Sequence, residues 1–243
     1  MMLRTRSDWP QVSAAWAVHL YTACGAVLAF LIALAAIQGN VVQALWFGFV
    51  AMIIDGTDGM LARRFRVREM VPWFDGSLLD NIVDYLTYVF APVLLLWTAG
   101  YLPGGTTGMI LAILPLLASS YQFCRVDAKT EDHFFLGFPS YWNVIAFYAF
   151  VLGWSPTTVG IILVICSVLV FVPIRYLYPS RTVALRPITL VVSAVWMLTY
   201  ALLLLEWPTP SMLVLNISVL GVIYYVAVSL YLNFGRRSAP HGA

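Results

Sequence analysis

Apolar residues in this chain do not alternate with polar ones. They run in long blocks broken by short polar clusters. A helix needs about 20 mostly apolar residues to cross the hydrocarbon core of a bilayer, and apolar runs of that length exceed what a strand uses. Eight blocks reach or approach it: Ala14–Ile37, Val41–Arg63, Gly76–Ala99, Thr107–Phe123, Phe138–Trp154, Thr157–Ile174, Pro187–Leu205 and Met212–Phe234. The pattern predicts an all-α, polytopic membrane helix bundle of eight transmembrane helices. The first block is too long, and too closely followed by the second, for a cleaved signal peptide. With no internal repeat, low-complexity stretch or linker, residues 1–243 are expected to form a single integral-membrane domain.

Composition narrows the class further. The chain is 62% hydrophobic and 10% charged, with a mean hydropathy of +0.88, whereas soluble domains carry about 25% charged residues. A water-soluble globule, a disordered chain and a disulfide-stapled scaffold are excluded. A net charge of +2 gives no reason to expect a nucleic-acid partner. Cys24, Cys124 and Cys166 all fall in apolar blocks without metal-ligand spacing and read as small hydrophobes.

The charges orient the bundle. With eight spans and the N-terminus inside, all 13 basic residues fall on the inner side or at an inner helix end, from Arg4 and Arg6 to Arg236 and Arg237. That asymmetry is what positive-inside sorting demands, so both termini are expected in the cytoplasm. Apart from Glu206, the acidic residues lie on the same side. Chemistry is therefore expected at the cytoplasmic face.

The informative stretch is residues 53–90. Asp55 and Asp58 are three apart at the inner end of the second block, and Asp80 and Asp84 are four apart at the inner start of the third. Each spacing puts its pair on one helical face, so two antiparallel helices would bring four carboxylates together. Such a cluster repels itself and resists desolvation. It could be paired with the Arg63–Arg68 cluster, or it could bind hard divalent cations, which favour carboxylate oxygens. Two ions sharing carboxylates suit phosphoryl chemistry. Gly56, Gly59 and Gly76 beside the acids would let a nucleotide approach the backbone, although small residues also serve tight helix packing in membranes. Arg63, one turn beyond Gly59, could clamp a phosphate.

The spacing Asp55-x2-Asp58-Gly59-x2-Ala62-Arg63, followed by Gly76-x3-Asp80-x3-Asp84, resembles the signature of the CDP-alcohol phosphotransferase family. Residues 64–75, between Arg63 and Gly76, make a longer gap than the usual family pattern, similar to that of the bacterial branch that makes phosphatidylcholine. Lys129–Asn143 and Val172–Arg181 also look like that branch. The resemblance implies a transferase that moves the phosphatidyl group of CDP-diacylglycerol to choline, releasing CMP, in the bacterial inner (cytoplasmic) membrane. It implies Asp55, Asp58, Asp80 and Asp84 as ligands of Mn²⁺ or Mg²⁺, two ions in all, with Asp84 as catalytic base. Asp58, Gly59, Ala62, Arg63 and Gly76 match the positions that contact the CDP moiety and its diphosphate. Family members resemble one another in being homodimers.

A trimethylammonium group is recognised through aromatic faces and negative charge. Aromatic residues make up 15% of the chain, so candidates abound. Tyr88 lies one turn beyond Asp84. Tyr121, Tyr141 and Trp142 flank the segment between the fourth and fifth blocks, and Glu131 could supply charge; for each aromatic alone, packing is the plainer reading. Arg125 and Lys129 would suit the donor's phosphates or anionic lipid headgroups, and His19 is a candidate as an ionisable group within a span. Two other readings stay open. One is a family member with serine, inositol phosphate or glycerol phosphate as acceptor. The other is a transporter, which would carry acids at mid-bilayer depth, broken helices or repeats.

Overall fold

The computed structural model describes residues 9–235. Arg4, Arg6, Arg236, Arg237 and both chain ends lie outside the described residues. The described elements are α1 (Trp9–Ile37), α2 (Val41–Arg64), α3 (Val67–Met70), α4 (Gly76–Asp84), α5 (Ala91–Thr98), α6 (Gly105–Cys124), β1 (Phe134–Leu136), α7 (Trp142–Val151), α8 (Pro156–Phe171), β2 (Arg175–Leu177), α9 (Arg186–Leu205) and α10 (Met212–Gly235). Between α4 and α5 the chain stays helical but widens over Tyr85–Phe90, with the Ala91 N–H reaching back five residues to the Leu86 carbonyl. The whole stretch Gly76–Thr98 is thus one long apolar helix. Wide turns of this kind are frequent at functional sites.

Six helices are long and apolar enough to cross a membrane: α1, α2, the α4–α5 helix, α6, α9 and α10. Two of the eight expected spans are shorter. The α7 helix has 10 residues, about 15 Å at 1.5 Å per residue, which is about half a hydrocarbon core. Its start is fixed by the backbone before it, because Gly137 and Ser140 both take positive φ. A Cβ at Gly137 would strike the Val170 carbonyl, so only glycine fits there. The α8 helix has 16 residues.

The bundle is helical as expected, with one small addition. β1 and β2 form a small antiparallel ladder, Phe134 facing Leu177, Phe135 facing Tyr176 and Leu136 facing Arg175. Short strands are tolerated here because α10 satisfies their edge. Leu177 N–H donates to Ser229 Oγ (3.0 Å), Arg175 N–H donates to Asn233 Oδ1 (3.3 Å), and Tyr225 Oη donates to the Leu177 carbonyl (3.1 Å).

The helices that matter for the site pack around α1, which lies against α2, α3, α4 and α5. Gly25 of α1 lets Val83 of α4 come so close that a Cβ would collide with its Cγ1. The gap of residues 64–75 is itself folded: α3 and the residue that caps it bury Val67 and Val71 against Val12, Ala15 and Val18 of α1. It ends at Asp75, whose side chain accepts from the Ser77 and Leu78 N–H groups at 3.0 Å each. That cap satisfies donors a helix start leaves open and sets where α4 begins.

Candidate active site

The two carboxylate pairs meet. Asp55, Asp80 and Asp84 each offer an oxygen, and these oxygens lie within 4.8 Å of one another. Asp58 stands beside them, 6% exposed, with Oδ2 accepting from Thr22 Oγ1 at 2.8 Å. Asp55 Oδ2 accepts from Tyr88 Oη at 2.7 Å. The positioning follows from helix geometry: α2 presents Asp55 and Asp58 one turn apart, α4 presents Asp80 and Asp84 one turn apart, and Tyr88 follows one turn later.

Among the described residues no arginine or lysine forms an ion pair with any of the four acids; the ion pairs there join Arg125 to Asp127 at 2.7 Å and Arg175 to Asp132 at 3.2 Å. The arginines of the Arg63–Arg68 cluster are exposed and do not neutralise the acids. Among the described residues, Lys129 is the cation whose charge reaches all four, without pairing with any of them. One ammonium cannot balance four carboxylates, and partly buried charge left unbalanced is costly. The donor set, all oxygen and all anionic, fits hard divalent cations.

The other candidates separate into those near the acids and those away from them. Arg63 folds back over Gly59, its Nη1 3.5 Å from where a Cβ would stand, and Ala62 is half-buried against α3 and its neighbours. Gly76 lies against the His19 ring, whose Cε1 would be 2.8 Å from a Cβ there. His19 is buried against Phe74 at 4.4 Å between ring centroids, and its Nε2 has no hydrogen-bond partner among the described residues. Tyr141 approaches Tyr88, with ring centroids 6.2 Å apart.

Trp142 is fully buried, its indole N–H donating to Ser119 Oγ at 2.7 Å and its ring packed on Phe138. Tyr121 is exposed against Phe171, with the Arg125 guanidinium 5.5 Å from its ring. Arg125 also grips Asp127 through two hydrogen bonds of 2.7 Å, which hold the Asp127 carboxyl below the usual carboxylate range. Glu131 is exposed in the turn before β1. The structure therefore groups Tyr88 and Tyr141 with the acids and does not bring Tyr121 or Trp142 to them.

Three residues beside this centre escaped the sequence reading. Phe135 of β1, Tyr178 just after β2 and Tyr225 of α10 join the ring group around Tyr141. They are far apart along the chain, and no spacing rule links them.

This architecture defines a class: a bundle of apolar helices, six of them long enough to cross a membrane, holding an unpaired acidic centre at the ends of two helices. Comparison with known proteins gives the family. The chain is 40% identical over 210 residues to the phosphatidylcholine synthase of Legionella bozemanae, covering 84% of this chain and 94% of that protein. It is 38% identical over 220 residues to the phosphatidylcholine synthase of Pseudomonas aeruginosa (89% and 91% covered). To that of Borreliella burgdorferi it is 34% identical over 226 residues (92% and 96%). The chain belongs to the phosphatidylcholine synthase family. No family model matches it.

Proposed function

We propose that this chain is a phosphatidylcholine synthase, an enzyme of the CDP-alcohol phosphotransferase type that transfers the phosphatidyl group of CDP-diacylglycerol to choline and releases CMP. Relatives of that name at 34–40% identity over most of the chain support the reading. The observation that carries it is the convergence of Asp55, Asp80 and Asp84, with Asp58 beside them, none of the four ion-paired to an arginine or lysine among the described residues.

The four aspartates would hold one or two Mn²⁺ or Mg²⁺ ions, which neutralise charge on the diphosphate and on the departing CMP when bound. Asp84 takes the proton from the choline hydroxyl. The freed oxygen forms a bond to the phosphorus that carries the lipid, the bond from that phosphorus to the bridging oxygen breaks, and CMP leaves with the electron pair. Arg63, over Gly59, and Lys129, facing the acids, hold phosphate oxygens. Gly59, Ala62 and Gly76 leave room for the nucleotide, and Asp58 is fixed in place by Thr22. Aromatic rings near Asp84 take the trimethylammonium. The helix bundle lies in the bacterial inner membrane with both termini in the cytoplasm, and the acids lie at that face. Residues 1–243 act as a single domain within a homodimer, as the resemblance implies.

The test is a transfer assay on purified protein in detergent with CDP-diacylglycerol, Mn²⁺ or Mg²⁺, and choline, serine, inositol phosphate or glycerol phosphate in separate reactions. CMP release with choline alone, abolished by chelator, is the expected result. Release with a different acceptor overturns the choice of choline. No release with any of them overturns the transferase reading.

A further inference from the structure

Beside the acidic centre lies a group of rings assembled from four separate parts of the chain. Tyr88, on the helix carrying Asp80 and Asp84, is tied to Asp55 by its hydroxyl. Its ring centroid is 6.2 Å from that of Tyr141, which leads into α7. Tyr141 in turn lies 5.8 Å from Tyr225 of α10 and 6.5 Å from Phe135 of β1. The Tyr225 hydroxyl donates to the Leu177 carbonyl at 3.1 Å. All four rings are half-buried. The hydroxyls of Tyr88 and Tyr225 are thus engaged, and what these rings offer a cation is their π-faces. That these faces draw a cation is visible one ring further on, where Lys129 Nζ sits 5.8 Å from the centroid of Tyr178, whose ring is tilted against that of Phe135 at 4.6 Å.

We propose that Tyr141, Tyr225 and Phe135, with Tyr88 at the acid edge, form the subsite for the quaternary ammonium of the acceptor and determine its specificity. This rests on the reading of the acidic centre as a site of transfer to choline and adds to it the residues that recognise the acceptor. Three requirements meet here. A quaternary ammonium has no N–H to donate, so ring faces and nearby negative charge must hold it. The carboxylate edge of the centre supplies that charge, since Tyr88, 6.2 Å from Tyr141 between ring centroids, is hydrogen-bonded to Asp55. The acceptor's reacting hydroxyl lies only two carbons from its nitrogen, so the ammonium site must border Asp84, as Tyr88 and Tyr141 do. Serine's ammonium and inositol phosphate's anion would each want hydrogen-bond partners that these rings do not supply.

The test compares choline with its neutral carbon isostere, 3,3-dimethyl-1-butanol, as acceptor. The two have the same shape, and only one carries charge. For the wild-type protein, kcat/KM favours choline. Tyr225→Leu is expected to lower the choline-to-isostere ratio about tenfold, the size of one partly desolvated cation–π contact, whereas Tyr225→Phe keeps the ring and most of the ratio. Should Tyr225→Leu fail to fold, Phe135→Leu carries the same measurement. An unchanged ratio in the leucine variants overturns the subsite, and so does a Tyr225→Phe ratio as low as that of Tyr225→Leu. Choline failing as a substrate of the wild type would instead overturn the proposed function, so the two failures are distinct.

Discussion

The acidic centre and the ring group beside it touch through one hydrogen bond, from Tyr88 to Asp55, yet they are built in opposite ways. The acids come from a single stretch, residues 55–84, in which two helices and a folded connection fix everything at short range. The rings come from α4–α5, β1, the start of α7 and α10, and depend on a two-stranded ladder hung on α10. A site made locally holds its geometry wherever the helices hold. A site made from distant parts can vary one part at a time. Chemistry common to many acceptors fits the first kind, and choice of acceptor fits the second.

That contrast breaks most sharply at Asp84. Asp84→Asn keeps the side chain's size and removes its basicity, so CMP release should fall by a factor of about 100 or more while CDP-diacylglycerol still binds; turnover within a few-fold of wild type would move the base elsewhere. Thr22→Val is next. It removes the hydrogen bond to the Asp58 carboxylate (2.8 Å), worth about 1.5–3 kcal/mol when one partner is charged. The metal concentration for half-maximal activity should rise about tenfold, with the choline-to-isostere ratio unmoved. The smallest effect is expected on the other side. Ser229 is fully buried, accepts from Leu177 N–H and donates to the Tyr225 carbonyl. Ser229→Ala orphans the Leu177 N–H at a cost of about 1 kcal/mol. Thermal unfolding in detergent should shift down, and the metal requirement should stay at the wild-type value. If Ser229→Ala changed the metal requirement, the two regions would not be separable.

The same contrast explains what the sequence could tell. Helix periodicity alone placed Asp55, Asp58, Asp80 and Asp84 on facing turns, and the structure brings Asp55, Asp80 and Asp84 together with Asp58 beside them. The gap at residues 64–75 read as a basic connection. Its fold was hinted at by Val67 and Val71, four apart among charges, which are the residues α3 and its cap bury. Six apolar blocks became helices long enough to cross a membrane, but the fifth and sixth did not reach that length; for the fifth the cause is visible. Gly137 and Ser140 stop the helix from extending toward its N-terminus, and strand β1 occupies the residues before them. Strands of three residues carry too little alternation to be seen in a sequence this apolar. Trp142 and Tyr121 sat near the right loop in sequence but point into other surroundings: one is locked on Ser119 and the other lies against Phe171. Tyr225 could not be found, since nothing local marks one tyrosine of α10 as the partner of Tyr141.

The most direct test of the central claim, that these aspartates form a divalent-metal centre, is Mn²⁺ binding to the purified protein, followed by electron paramagnetic resonance during titration. The account predicts tight binding by the wild type, reaching up to two ions per chain, with loss of that binding in Asp55→Asn and Asp80→Asn and its retention in Tyr225→Leu. Wild-type protein that takes up no more Mn²⁺ than Asp55→Asn would contradict it.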